Sequence, residues 1–288
     1  MKTIKNKLSL HFFNEDDIGG LISLSQSVGW DYDEHEIRTV LSSGKILGHK
    51  NEFGQIVSSA AIIPYDTHLA SIGMVIVKSE YRGLGLGKET TQACIKLVSE
   101  KVSIMLIATP EGKPLYEKLG FKKVGSVHKF LCSHYEPFDH LLSDGCKAEA
   151  LEEKDLHQVI ELDKHAFGDS RGTFLRNRLK QAQQALVLKD ESGNVIGFGF
   201  SILGPENLIL GPIVAPDYKG AMDLINQLAR NHRGQLRIDT PIGDDLFINY
   251  LQGYGFEKVS HPPIMILHSD TMPMRNSHLY GIAAQVFG

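Results

Sequence analysis

Apolar and polar positions alternate along the chain with two periods, and each switch between them marks an element. LHFFNEDDIGGLISLSQSVGW (10–30) predicts a strand followed by a helix, with Asn14 or Asp16 as the cap. Trp30-Asp31-Tyr32-Asp33 then leads into a second short helix over Glu34 to Ser42. KILGHK (45–50) and QIVSSAAIIPYD (55–66) read as two strands joined by NEFG, a glycine-containing hairpin turn. HLASIGMVIV (68–77) predicts a third strand. KETTQACIKLVSEKV (88–102) predicts a helix with Cys94, Leu97, Val98 and Lys101 on one face. VSIMLIAT (102–109) is a strand, KPLYEKLG (113–120) a short helix closed by Gly120, and FKKVGSVHKFLCS (121–133) the last strands of this half. Farther on, Asp155 caps a helix carrying Leu156, Val159 and Ile160, and ALVLKDESGNVIGFGFSILG (185–204) is a hairpin turning at Glu191 to Asn194. The helix after Lys219 places Ala221, Leu224, Ile225 and Leu228 on one face.

The order of these elements repeats. IATPEGKPLYEKLGFKKV (107–124) matches IDTPIGDDLFINYLQGYGFEKV (238–259), with Thr109-Pro110 against Thr240-Pro241 and Gly120-Phe121 against Gly255-Phe256. Upstream, SIGMVIVKSEYRGLGLG (71–87) stands where the second half has LILGPIVAPDYKGAM (208–222). Two copies of one α/β unit follow from this, with a junction near residues 136–147. The length of 288 residues agrees, at roughly 100–200 residues per domain.

Composition narrows the function classes. The chain is 42% hydrophobic and 22% charged, ordinary for a globular protein, with a formal net charge of -4. No global positive field exists to draw nucleic acid or an anionic membrane surface, so neither partner is expected. Cys94, Cys132 and Cys146 are too few and odd in number for a disulfide framework, and read as reduced thiols. The start, MKTIKNKLSLHFFNEDD, lacks a signal-peptide core, and no apolar run is long enough to span a bilayer. The expected location is the cytoplasm.

The chemistry-bearing stretch is Arg82-Gly83-Leu84-Gly85-Leu86-Gly87-Lys88, between an apolar strand and an amphipathic helix. Its three glycines let a ligand approach bare N–H groups where a helix begins with unpaired donors and a positive dipole end. A phosphate or pyrophosphate is the natural guest there, the alternative being a tight turn with no ligand. A P-loop is excluded, because Arg82 stands at its first glycine and Glu89 follows Lys88. A dinucleotide fingerprint is excluded as well, because Lys88 and Thr90 occupy the positions of its third glycine. What fits is [RQ]-x-x-G-x-[GA], as Arg82, Gly85 and Gly87.

On this segment, and on PLYEKLGF (114–121) about 30 residues beyond it, the chain resembles the GNAT superfamily of N-acetyltransferases. The resemblance extends over the whole chain, including the LYGIAAQVFG tail, to a bacterial tandem-GNAT group in which a full domain precedes a degenerate one. It implies an α/β (α+β) fold of two GNAT-like domains, residues 1–140 and 147–288, each a mixed, mostly antiparallel sheet flanked by helices. It implies acetyl-CoA as co-substrate and no metal. The strand ending Val75-Ile76-Val77 would pair with the pantetheine arm, and a backbone N–H near Val75 would hold the developing oxyanion. Backbone from Gly83 through Leu84, Gly85, Leu86 and Gly87 to Lys88 would hold the pyrophosphate beside Arg82. Tyr116 falls on the tyrosine that protonates the departing thiolate, its alternative being a helix tyrosine packed on the sheet.

One part of that pattern is missing. Many relatives place a glutamate base where this chain has Ser71, which cannot act as a base at neutral pH. A water chain ending at Asp66, His68 or Glu52 is the remaining route, and His68 also reads as a solvent-facing loop residue. Trp30 and Tyr32 read either as core or as an aromatic wall for an amine. Asp31, Asp33, Glu34 and Glu36 beside them are a solvated helix start or an attractor for a cationic acceptor. His128, Cys132, His134 and His140 lack a C-x-x-C partner, so no metal is expected.

In the second half, Asp217-Tyr218-Lys219-Gly220-Ala221-Met222 retains one glycine of the loop. Phe247 and Tyr250 compete for the tyrosine position, and this half is expected to bind no coenzyme A. The expected activity is transfer of an acetyl group from acetyl-CoA to a primary amine of a small molecule in a ternary complex, by a monomer or homodimer. The alternatives are an acyl-CoA sensor without turnover, or an acetyltransferase acting on protein lysines or N-termini.

Overall fold

The protein is described here from a computed structural model covering residues 8–138, 146–241 and 244–288. The first half contributes β1 (Ser9–Phe13), α1 (Ile18–Gln26), α2 (Glu34–Ser43), β2 (Lys45–Lys50), β3 (Ser58–Pro64), β4 (Leu69–Val77), α3 (Leu86–Ile95), β5 (Ser103–Ile107), α4 (Lys113–Lys118) and β6 (Lys122–Cys132). The second contributes β7 (Lys147–Ala150), α5 (Leu156–Phe167), α6 (Gly172–Gln181), β8 (Gln184–Lys189), β9 (Val195–Leu203) and β10 (Asn207–Val214). It continues with α7 (Tyr218–Ala229), β11 (Gln235–Pro241), α8 (Asp245–Gly253), β12 (Glu257–Ser260), β13 (Pro263–Leu267) and β14 (Leu279–Gly281).

Local chemistry starts these helices. Asn14 accepts from the Asp16 N–H at 2.8 Å, while Asp17 accepts from the Asn14 N–H, a reciprocal cap on the turn that leads into α1. Asp33 caps α2 through the Glu36 N–H at 2.7 Å. The helix expected over 88–102 instead runs Leu86–Ile95, because Gly85 caps it and draws Leu86 and Gly87 into its first turn. It stops before Leu97, which is 37% exposed: the polar run Ser99-Glu100-Lys101 offers no apolar face to continue it. The expected last strands of the first half are one long strand, β6.

Strand order exposes what the repeat alone does not. Among the described residues one 14-stranded sheet runs β1-β2-β3-β4-β5-β13-β6-β11-β10-β9-β8-β7, with β12 on β6 and β14 on β10. β13, from the second half, lies antiparallel between β5 and β6 of the first. β6 in turn pairs with β11, Val127 opposite Pro241 and Cys132 opposite Leu236. Each half thus lends a strand that closes the other's sheet. A core cluster containing Leu21, Ile37, Ile76, Phe167, Phe198 and Phe287 draws on both halves, and separate clusters serve the α3/α4 side of the first half and the α7/α8 side of the second. Among the described residues no helix is long and apolar enough to cross a membrane.

Candidate active site

β4 and β5 pair in parallel only from Leu69–Ser103 to Ser71–Met105. Beyond Ser71 they separate, so β4 from Ile72 to Val77 keeps hydrogen-bonded neighbours on its β3 side alone. Within that stretch β4 bulges: Ala61 faces Gly73 while Ser59 faces Ile76, one residue more on β4 than on β3. Met74 takes a positive φ of 50°, and its carbonyl accepts the Ser59 hydroxyl at 2.7 Å. The result is an opening in the sheet along the β5-side edge of β4 at Val75, Ile76 and Val77, the other edge of which pairs with β3.

The opening leads to the glycine segment. After the turn Ser79–Tyr81, Gly83 and Gly85 adopt φ of +79° and +81°, left-handed values that side chains disfavour. The amides from Gly83 to Lys88 donate no hydrogen bond among the described residues. Leu86 is buried and anchors the turn, whereas Arg82, Gly83, Gly85 and Lys88 are exposed and Leu84 and Gly87 are intermediate. Beneath α3, buried His49 joins Ser58 Oγ through Nδ1 at 2.8 Å and stands 3.5 Å from Glu89 of the first helical turn. Nothing in the sequence around His49 signalled that support. The array of free amides at a helix start fits a diphosphate.

Tyr116, on α4, is 7% exposed and packs its ring edge against Phe121 with centroids 5.9 Å apart. Burial, with the Cys94 thiol next in effect, pushes its hydroxyl up to about 12. That hydroxyl has no hydrogen-bond partner among the described residues. At neutral pH it is a protonated donor.

The base position is covered. Ser71 is fully buried, and its hydroxyl donates to the Val286 carbonyl at 2.9 Å. A Cβ on Gly73 would lie 2.5 Å from Val286 Cγ2, so the tail crosses β4 in close contact. Asp66 and His68 lie elsewhere, in a clasp between the halves at the far end of β4. Asp66 accepts from Ser170 Oγ at 2.9 Å and the Gly172 N–H at 3.1 Å. Buried Asp169 accepts from the Thr67 hydroxyl and from the N–H groups of His68 at 2.9 Å and Leu69 at 2.8 Å. Glu52 is exposed on the β2–β3 turn. The structure therefore does not bring Asp66, His68 or Glu52 to the opening. Trp30 and Tyr32 are half-buried against the shared core, ring centroids 6.1 Å apart. Burial, with Glu36 next, raises the Tyr32 hydroxyl above its ordinary value.

The second half fills the places that the first leaves open. β10 and β11 also part after a short parallel pairing, Asn207–Gln235 to Ile209–Arg237. Here β14 enters the gap: Ile213 pairs with Gly281, and the Ile282 N–H donates to the Asp239 carbonyl at 2.8 Å. Asp217 caps α7 through the Gly220 N–H at 2.9 Å, a carboxylate where the first half offers free amides. Phe121 N–H bonds the Tyr116 carbonyl, and Phe256 N–H bonds that of Leu251. Counted from Thr240 instead, the matching residue is Phe247. Neither supplies a hydroxyl, and Tyr250 turns to Tyr218 at 5.1 Å between centroids.

The His128 ring lies tilted against Phe130 and edge-on to His261, and His140 lies outside the described residues. Among the described residues no group of three or more His, Cys, Asp or Glu is placed to hold a metal. A recess of about 450 Å³ between α1 and the β2–β3 turn, lined by Asp17, Gly20, Lys50, Ile56 and Lys78, includes neither the glycine segment nor Tyr116.

Known proteins resemble this chain in sequence and in fold. A family model described as an acetyltransferase (GNAT) domain matches residues 31–131, and a second of the same description matches residues 159–281. Over 289 residues, spanning all of both chains, the sequence is 35% identical to a Bacillus subtilis protein named as an uncharacterized N-acetyltransferase, YitH. A crystal structure from Pyrococcus horikoshii, assigned as an acetyltransferase, superimposes with a TM-score of 0.81 at 22% identity, covering 98% of this chain and 96% of that one. A tandem GNAT protein from the clavulanic acid biosynthesis pathway superimposes with a TM-score of 0.68 at 12% identity, covering 92% of this chain and 99% of that one. The chain belongs to the GNAT acetyltransferases, as a tandem-GNAT N-acetyltransferase.

Proposed function

We propose that the first half binds acetyl-CoA and that the protein transfers its acetyl group to a primary amine of a small molecule, by direct attack in a ternary complex. The observation that carries this reading is the continuous path from the unpaired edge of β4 to the free amides of Gly83 to Lys88. The edge suits a pantetheine arm added like a strand, and the amides suit the diphosphate. When bound, the co-substrate supplies an acyl group activated as a thioester. Arg82 and Lys88 add positive charge at the diphosphate end, and a backbone N–H at the β4 bulge near Val75 holds negative charge as it develops on the acyl oxygen. Tyr116 delivers its proton to the leaving sulfur.

Among the described residues no side chain beside Ser71 serves as a base, so the acceptor amine gives up its proton to solvent or arrives neutral. The second half, 147–288, binds no coenzyme A and walls the acceptor side of the first, 1–140. The free cysteines Cys94, Cys132 and Cys146 favour the cytoplasm as the place of action.

The buried serine at the base position supports a second reading, an acyl-CoA sensor without turnover. Free thiol released from acetyl-CoA, followed across an amine panel, separates the two. Release that depends on the amine is expected; tight binding without release would leave the sensor.

A further inference from the structure

The wall near Tyr32 is built by strands of different origin. Lys129 of β6 sits directly across from Asp239 of β11, and Arg237 across from Leu131, so Lys129, Arg237 and Asp239 share one face. The opposite face carries Phe130 and Ile238 into the second-half core. Asp239 is fully engaged: one oxygen accepts from Arg237 Nε at 2.7 Å and the other from Gln285 Nε2 at 2.8 Å. Val286, next along the tail, is the residue that crosses Gly73 and accepts from Ser71. The wall is thereby tied to the opening in β4 through one short run of chain.

Two cations on this wall have donors to spare. The Arg237 side chain is only 13% exposed, yet Nη1 and Nη2 make no hydrogen bond among the described residues and are not sealed from solvent. Lys129 is half-buried, and its ammonium has no hydrogen bond or ion pair among the described residues. Burial, with Arg237 next, holds the Lys129 ammonium below its ordinary range. The neighbouring Arg178 is engaged at both terminal nitrogens, by Glu36, by Gln181 at 2.8 Å and by the Ala283 carbonyl at 2.7 Å, and its one unpartnered donor, Nε, is sealed from solvent. Asp31 lies within electrostatic range of both Lys129 and Arg237 but forms no ion pair with either. Such a pair of donors, one a planar fork and one a point charge, is what an anionic oxygen pair requires.

We infer that Arg237 and Lys129 form a subsite for a carboxylate on the acceptor, so that the acceptor is an amine that also bears a carboxylate, as amino acids do. Resting on the transfer reading above, this places the acceptor's anionic end on the second-half wall and its amine toward the opening in β4. The guest's charge gives Lys129 the direct ion pair that Asp239, Asp31 and Glu206, acting on it only through space, do not, and its two oxygens take the Nη donors of Arg237.

The test pairs each common amino acid, and γ-aminobutyrate, with its methyl ester, which keeps the amine and removes the negative charge. The full chain is expected to use the best acid with kcat/KM roughly 10- to 100-fold above its ester. Arg237→Gln and Lys129→Gln should each collapse that ratio toward one. Lys129→Gln removes no hydrogen bond or ion pair among the described residues, so it is expected to fold even where Arg237→Gln does not. Equal use of acids and esters, or an unchanged ratio in Lys129→Gln, would overturn the subsite while leaving acetyl transfer intact. Should no amine be turned over, Trp30, the one tryptophan of the chain, still reports binding beside Tyr32. A saturable fluorescence change with an acid but not its ester, lost in Lys129→Gln, supports the subsite without turnover; no saturable change with any acid refutes it.

Discussion

Tyr116 is a phenol whose surroundings favour its neutral form. Because its folded value of about 12 lies above the ordinary 10, the folded protein holds this proton through that window. The corresponding stability is fully present below pH 10 and is lost as pH rises toward about 12. Tyr116 therefore stays protonated across neutral pH, and the kcat–pH profile should rise with deprotonation of the acceptor amine and show no descending limb from Tyr116 below about pH 10. Tyr116→Phe should lower kcat about 100-fold with little change in acetyl-CoA affinity, read by steady-state rates and calorimetry. Ser71→Ala makes the contrasting case. It removes one buried hydrogen bond to the tail, about 1 kcal/mol of stability, and should leave kcat within a few-fold. A loss as large as that of Tyr116→Phe would make Ser71 part of the proton path. Tyr116 was legible in the sequence because it lies inside a contiguous motif. Arg237, Lys129 and Gln285 were not, since they sit in three separate stretches that only strand pairing brings together.

Among the elements, the turn into α3 is the most sequence-determined. Gly85 ends it with φ of +81°, so any side chain there meets the left-handed penalty of about 1–2 kcal/mol. Gly85→Ala should lower Tm by a few degrees and weaken acetyl-CoA binding at least about tenfold, while Gly85→Glu, which adds a negative charge against the diphosphate, should abolish it. Titration calorimetry reads both. The presence and order of β2, β3, β4 and α4 followed directly from periodicity and turn residues. Ends were harder to read: α3 begins two residues before the expected Lys88, because a glycine-rich approach hides where helical hydrogen bonding starts. The bulge at Met74 left no trace in the apolar run of β4, since a single extra residue preserves composition while shifting register.

At the scale of the whole molecule, the two-unit grammar was visible but the exchange of strands was not. Closing strands of similar apolar pattern fit either copy, and the local sequence does not say which partner each takes. Buried links reinforce the exchange. Arg171 makes two hydrogen bonds to Asp163, at 2.7 and 2.9 Å, lies 3.7 Å above the Phe167 ring, and reaches the Phe287 carbonyl, which Tyr65 of the first half also bonds. Asp163→Ala should cost about 3–5 kcal/mol by leaving that guanidinium buried without its counter-ion. The loss should appear as one lowered calorimetric transition rather than as melting of the second half alone. Two resolved transitions would show that the halves unfold independently.

Because β13 and β6 are interleaved, the spacing between the two halves is set by backbone ladders at about 4.8 Å and not by a hinge. On the transfer reading, an acceptor site on a frame of this construction would neither widen for a bulky guest nor clamp down on a small one. Its discrimination must be written in the side chains that face inward, and altering what it accepts should need only point substitutions on a rigid frame.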